Sequence, residues 1–316
     1  MIKPEFIEEI FKNNKRRVSR AITIIESSLN DSTELLKVIH KRTGKAYRIG
    51  ITGPPGAGKS TITNQLTKYY RKQNKTVGII AVDPTSPFSG GALLGDRVRM
   101  SEVGSDPGVF IRSMATRGSL GGLSQKTIDA ADVLDAAGYD NIIFETVGVG
   151  QSELDVAKAA DTTIVVIVPE SGDAIQAMKA GLMEIADFFV INKSDRPGSD
   201  NAINSLNTIL MFKDHNENDW LPGILKAVAS ENTGIIEIAN EIEKHKNYLV
   251  GNNLLNKNRE QKYKSRIAGI VENLFKNEIW NDERKIKLTG SLSKVLDGEI
   301  SPYEVAEIIF KEFKES

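Results

Sequence analysis

The chain has 316 residues, with 41 Lys and Arg against 42 Asp and Glu, three His and no Cys. Without cysteine there can be no disulfide framework, zinc ribbon, thiol nucleophile or thiolate-bound cluster, and a net charge of −1 argues against an electrostatic grip on nucleic acid. The 40% apolar content suffices for a sizeable core, and the longest apolar runs, 164–168 and 188–191, are strand-length and cannot span a bilayer.

The first residues, MIKPEFIEEIFKNN, are charged throughout and do not read as a secretory signal, so the cytoplasm is the expected location. The short basic run Lys15-Arg16-Arg17 leads into a helical pattern and reads as a solvated helix face or a partner contact. From residue 5 to 42 the apolar residues Ile7, Ile10, Phe11, Val18, Ile22, Ile25, Leu35, Leu36, Val38 and Ile39 recur near the helical period, which predicts two or three amphipathic helices. Between residues 47 and 248 the pattern changes to short β-rich runs at 48–52, 76–82, 109–112, 141–145, 163–168, 188–192 and 225–229, separated by helical stretches. This alternation predicts an α/β protein: a mostly parallel sheet flanked by helices. After Gly251 a polar composition gives way to a helical stripe of Tyr263, Ile267, Ile270, Val271, Leu274 and Phe275, which needs a surface to bury against. The expected division is a helical N-terminal extension (1–45), a nucleotide-binding domain (46–250) and a C-terminal helical arm (251–316). His40, His215 and His245 lie far apart and at no two-ligand spacing, so each is expected to be a surface or packing residue.

Gly53-Pro54-Pro55-Gly56-Ala57-Gly58-Lys59-Ser60 is a full G-x-x-x-x-G-K-S, preceded by a predicted strand and followed by helix-compatible residues 61–71. That context identifies a phosphate loop (P-loop): glycines let backbone N–H groups surround a phosphate, and the following helix points its positive end at the same place. Lys59 is expected to reach the β- and γ-phosphates, Ser60 to ligate Mg²⁺, and Thr61 to contact the α-phosphate. Asn192-Lys193-Ser194-Asp195 ends an apolar strand well downstream. A carboxylate there accepts the N1–H and the exocyclic N–H of guanine, which adenine does not offer, so Asp195 favours GTP over ATP. The Lys193 stem lies along the base and Asn192 braces the loop. At Val228-Ala229-Ser230 the loop after a short strand reads either as a turn that offers a backbone N–H to the guanine O6 or as a strand-end turn without a ligand.

A third strand ends in Glu145-Thr146-Val147-Gly148. Its acid is expected to hold Mg²⁺ directly or through water, and the Gly148 N–H to sense the γ-phosphate. Val149 stands where Ras-type GTPases place a water-orienting Gln. An aliphatic side chain can neither orient water nor stabilise charge, so intrinsic hydrolysis is expected to be slow, with Gln151 and Glu153 as nearby candidates. Asp83 ends another strand, and Asp96 follows in a Gly-rich stretch. Acids beside a triphosphate are unfavourable unless they hold a cation or orient water, which is the argument for placing both in the Mg²⁺ shell, set against a plain surface-loop role for each. Lys59, Asp83, Glu145 and Gly148 form the expected catalytic set.

Together these residues resemble the MeaB/ArgK family of P-loop GTPases, which assist adenosylcobalamin-dependent acyl-CoA mutases such as methylmalonyl-CoA mutase. The resemblance rests on RVSRAITIIE (17–26), TGKAYRIGITGPPGAGKST (43–61), VDPTSPFSGGALLGDRVRM (82–100), IRSMATRGSLGGL (111–123), ETVGVGQSE (145–153) and residues 187–195. It implies Mg²⁺ held by Ser60, Asp83, Asp96 and Glu145, with GTP or GDP as nucleotide. It also implies an extra mobile loop from Pro169 to Gly181 that couples nucleotide state to the mutase, with Lys179 stabilising charge. The C-terminal arm is implied to form a homodimer that buries the 263–275 stripe. The chain departs from the family at Val228, where the pattern has Ser. Three other readings fit less well. A kinase or ATPase tied to lysine, arginine and ornithine transport meets the objection of Asp195. A metallocentre-insertion GTPase would want clustered His or Cys. A structural dimer without catalysis would not need Lys59, Ser60 and Glu145.

Overall fold

Seven runs rich in Val and Ile form one sheet among the residues that the computed structural model describes, which are 2–27, 29–83, 101–115, 122–146, 152–170, 181–211 and 219–315. The strands are β1 (Tyr47–Thr52), β2 (Val77–Asp83), β3 (Val109–Ala115), β4 (Asn141–Thr146), β5 (Thr162–Ile167), β6 (Phe188–Asn192) and β7 (Gly223–Ala227). Their order is β3-β2-β4-β1-β5-β6-β7, and every neighbouring pair is parallel. Strands β4, β5 and β6 are buried at every position, which explains why they read as unbroken apolar runs rather than alternating ones.

Helices cover both faces. On one lie α1 (Pro4–Phe11), α2 (Lys15–Ser27), α3 (Leu29–Ile39), α6 (Gly122–Ala136) and α7 (Ser152–Ala159), where Ile10, Val18, Ile22 and Leu35 join Leu134, Ile142 and Phe144 in one cluster. On the other, Ile62 and Leu66 of α4 (Lys59–Lys72) and Ile238 and Ile242 of α10 (Ile235–Gly251) pack on Ile49, Ile51, Ile164 and Val166. A third cluster sets Val165, Ile167, Phe189 and Ile191 against Met183 of α8 (Leu182–Ile185) and Ala202 and Leu206 of α9 (Ser199–Met211). Alternate residues of β5 thus serve opposite faces, as the two-residue strand period requires. Each fully buried Ile or Leu contributes about 1.5–3 kcal/mol. The short α5 (Ser101–Gly104) precedes β3.

The stretch between the first three helices and β1 is pinned to α6. One carboxylate, that of Asp135, accepts three successive backbone N–H groups, from Gly44 (2.7 Å), Lys45 (3.1 Å) and Ala46 (3.0 Å). Beside it the Arg48 guanidinium donates to Asp132 at 2.6 Å. On the neighbouring surface Arg112 of β3 pairs with Glu26 of α2, whose carbonyl accepts from Lys126 at 2.6 Å.

Two strands, β3 and β7, differ from the sequence expectation by more than one residue, each for an identifiable reason. β3 runs on to Ala115 because it pairs with β2 along its whole length, from Val77↔Val109 to Asp83↔Ala115. β7 starts two residues earlier and stops at Ala227, because Val228 leaves the sheet for a bridge to Thr233 and Ala229–Glu231 form a 3-10 turn.

At the amino edge of the sheet, His245 of α10 is buried (2% exposed), with Thr162 Oγ1 at 2.8 Å from Nδ1 and Asp187 Oδ1 at 3.4 Å from Nε2. Tyr47 Oη lies 2.5 Å from the same Thr162 oxygen, and Trp220 covers the ring at 4.7 Å. A neutral imidazole with its hydrogen on Nε2 lets Tyr47 donate to Thr162 and Thr162 donate to Nδ1. Burial outweighs the attraction of the Asp161 carboxylate and lowers the His245 pKa from 6.5 to about 4. The unfolded chain therefore takes up a proton first. The contribution is complete above about pH 6.5 and is lost as pH falls towards 4, by about 3 kcal/mol. Denaturant unfolding at pH 7 and 4.5 checks this: His245→Gln should lose less stability over that interval than the parent, and equal losses would refute the assignment.

The chain divides into two units, residues 1–258 and 259–316. The second contains most of α11 (Leu254–Ile279) together with α12 (Asp282–Leu296) and α13 (Pro302–Glu315). Asn281 caps α12 by accepting the Arg284 N–H at 2.8 Å, and Ser301 and Glu304 form a reciprocal capping box ahead of α13. The buried Arg284 lies over the Phe313 ring at 5.3 Å, and Phe275 meets Phe313 edge-on at 6.4 Å. The α11 stripe is open: Ile267, Val271, Leu274 and Phe275 are 60%, 45%, 63% and 53% exposed. Among the described residues no helix is long and apolar enough to cross a membrane.

Candidate functional site

Parallel strands put all their carboxyl ends on one edge, so Thr52, Asp83, Glu145 and Asn192 end or nearly end their strands on the same side. The chain leaves β1 towards β2 on one side and leaves β5 towards β6 on the other, which opens a crevice between β1 and β5 where such sheets bind ligands. The loop 53–58 lies at that point. Gly53 (φ 134°) passes so close to β5 that a Cβ would fall 2.0 Å from the Val166 carbonyl oxygen. Gly58 (φ 87°) leaves only 2.2 Å between a built Cβ and the Asn192 amide nitrogen, so both positions admit glycine alone. Gly56 (φ 73°), by contrast, faces open space.

Helix α4 starts directly after Gly58, with the Ile62 N–H bonded to the Gly58 carbonyl at 3.0 Å. Its first residue, Lys59, is 6% exposed, and its ammonium is folded onto the loop, donating to the carbonyls of Gly53 (2.7 Å) and Pro54 (3.0 Å). The Ser60 hydroxyl donates to the Glu145 carboxylate of β4, which is buried at 1% exposed. A hydroxyl and a carboxylate in contact are hard oxygen donors, the chemistry that suits Mg²⁺. Thr61 is exposed on the next position of the helix, and Pro55 is exposed in the loop. No group of three or more His, Asp or Glu suited to a metal occurs among the described residues. Asp83 closes β2 on the same edge.

The second loop is built around Asn192. Its side-chain amide donates to the Ala57 carbonyl of the phosphate loop at 2.8 Å, and its oxygen accepts the Ala229 N–H at 3.1 Å. One side chain thereby joins the loops after β1, β6 and β7. Lys193 has φ 55°, a left-handed conformation that a side chain adopts at a cost, and the Ser194 N–H is held by the Ala227 carbonyl at 3.0 Å. This turn presents Asp195 as an exposed carboxylate. Arg196 donates to Glu170 at 2.7 Å, which holds the Glu170 carboxyl below its ordinary range. Val228 is half-buried, Ala229 is buried and Ser230 is exposed at the third loop.

Asp96, Gly148, Val149, Gln151 and the stretch 171–180 with Lys179 lie outside the described residues, as do the side chains of Asp83 and Glu153. Sequence reasoning missed Gln65, which bonds the third loop from α4. The available signal was a polar residue between the core positions Ile62 and Leu66. It also missed the Thr146-to-Thr52 hydroxyl bond (3.3 Å), which ties β4 to β1 beside the loop.

The sheet order and the strand–loop–helix at residues 47–72 define a P-loop α/β protein. A family model described as methylmalonyl-CoA mutase-associated GTPase MeaB matches residues 18–284. A Pyrococcus abyssi relative is 46% identical over 310 residues, spanning 98% of this chain and 96% of its own. GTPase ArgK of Escherichia coli is 36% identical over 286 residues, covering 87% and 86% of the two chains. The crystal structure of an LAO/AO transport system kinase matches over the whole of both chains, with TM-score 0.71 and 29% identity. The chain belongs to the MeaB family and is a GTPase.

Proposed function

We propose that this GTPase is a chaperone for an adenosylcobalamin-dependent acyl-CoA mutase of the methylmalonyl-CoA type, gating cofactor loading and protecting the mutase. The family description, which names a mutase-associated GTPase, supports the partner. The observation that carries the nucleotide chemistry is the Asn192 bridge, which sets the base-recognition loop and the phosphate loop at a fixed separation. In this reading residues 53–58 hold the phosphates with backbone N–H groups. The Lys59 ammonium turns from its two loop carbonyls to the β- and γ-phosphates, and Thr61 meets the α-phosphate. Asp195 accepts from the guanine N1–H and exocyclic N–H groups, with Lys193 along the base and the 228–230 turn at O6. Ser60, Asp83, Asp96 and Glu145 would hold Mg²⁺, which when bound neutralises charge on the phosphates. Gly148 senses the γ-phosphate.

Val149 offers no group to orient water, so turnover by the protein alone is slow and rises when the mutase docks. The exposed α11 stripe supports a homodimer formed through the C-terminal arm. The deciding experiment measures GTP hydrolysis by the purified protein, with ATP as control, alone and with an adenosylcobalamin-dependent acyl-CoA mutase from the same source. Slow, GTP-selective turnover that rises with the mutase is the expected result. GTP turnover that no mutase alters would remove the chaperone reading, and ATP preference would favour the transport-linked alternative.

A further inference from the structure

Three loops meet at the base-recognition end of the site, and Asn192 is not their only tie. Gln65, one and a half turns into α4 and half-buried, donates its side-chain N–H to the Ala229 carbonyl at 3.2 Å. A carbonyl only accepts, so this contact also fixes which end of the amide faces it. Both backbone groups of Ala229 are then held: its N–H by Asn192 and its carbonyl by Gln65, with the Asn232 N–H also on that carbonyl at 3.2 Å. Asn192 in turn grips Ala57, two residues before Lys59, where α4 begins. The four groups close a ring that runs from the phosphate loop through Asn192, Ala229 and Gln65 and back along α4.

We infer that Gln65 is a positioning residue for guanine recognition, setting the 228–230 turn at a fixed height above the helix that carries the phosphate ligands. The inference rests on the guanine reading given above. Because the Ala229 N–H is already committed to Asn192, the next N–H of the turn, that of Ser230, is the one that meets the purine O6. Removing the Gln65 donor frees the turn to shift away from O6 while Asp195 keeps its own contacts and the phosphate loop keeps its own.

The test uses the full chain carrying Gln65→Met, which preserves length and apolar stem but cannot donate. Calorimetric affinities are measured for GDP, 6-thio-GDP, IDP and inorganic tripolyphosphate, and for ADP with the parent protein. Sulfur accepts weakly, so the preference for GDP over 6-thio-GDP reports the O6 contact, whereas the preference for GDP over IDP reports the exocyclic amine at Asp195. The expected result is that the first ratio falls by about fivefold, the scale of one neutral hydrogen bond, while the second ratio and tripolyphosphate affinity stay unchanged. An unchanged first ratio overturns the assignment. An equal loss for all four ligands overturns it too, since it marks a general structural role. A parent protein that binds GDP no more tightly than ADP fails earlier and sinks the guanine reading itself, a result visible without any variant.

Discussion

Lys59→Ala is expected to lower affinity for GTP by at least about 100-fold and to abolish measurable turnover. The ammonium is almost fully buried against the loop and makes two hydrogen bonds to its carbonyls. Charge-assisted bonds from that nitrogen to phosphate oxygens are worth about 1.5–3 kcal/mol each, so losing two of them accounts for the estimate. In turnover the loss is larger still, because charge grows on the phosphate oxygens as the bond to the γ-phosphate breaks. Isothermal titration with GTP and GDP, together with single-turnover hydrolysis, measures both. The same substitution removes two internal hydrogen bonds, so thermal melting is recorded alongside to show that the fold survives. Unchanged affinity and turnover in a folded variant would count decisively against the phosphate-loop assignment.

Asp195→Asn is expected to change which base is accepted rather than whether a nucleotide is held. The exposed carboxylate can accept two N–H groups of guanine, whereas an amide presents one acceptor and one donor, and the donor then faces the guanine exocyclic amine. Affinity for GTP should fall by about 10- to 100-fold, the worth of one hydrogen bond to a charged group. Xanthosine triphosphate, which carries an oxygen where guanine carries that amine, should gain affinity. Competition binding with GTP, XTP and ATP reads the result, and a variant that still prefers GTP would undo the specificity argument.

Both substitutions could be chosen from the sequence because the groups concerned lie in contiguous motifs tied to strand ends. A strand followed by G-x-x-x-x-G-K-S has few ways to fold, and Gly53 and Gly58 sit where the backbone reaches contacts that no Cβ could share. The parallel sheet was legible for a related reason: strands buried on both faces are unbroken Val and Ile runs, with helical periodicity between them. What escaped was contact between distant segments through a single polar side chain. Nothing in local pattern shows that Gln65 reaches Ala229, or that the Asp135 carboxylate collects the N–H groups of residues 44–46, because a half-buried amide and a capped loop leave no periodic trace. The edge strand β7 was misjudged by two residues because its Lys226 is exposed and its apolar pattern is weak. The carboxylate of Glu145 was placed by its strand, but its contact with Ser60 depends on how β4 and β1 register, Ile51 opposite Glu145, which sequence does not state.

The packing of α1 to α3 bears on how this protein can be cut. Trimming it to the stretch that contains every nucleotide-binding motif, residues 46–250, would take Ile10, Val18, Ile22 and Leu35 from a cluster they share with Leu134 and Phe144. It would also strip Gly44 and Lys45 from the Asp135 carboxylate, leaving a buried charge with fewer donors. The exposed apolar face would invite aggregation before any nucleotide could be offered. The smallest piece worth expressing therefore begins ahead of α1, even though none of its first 45 residues belongs to a nucleotide-binding motif.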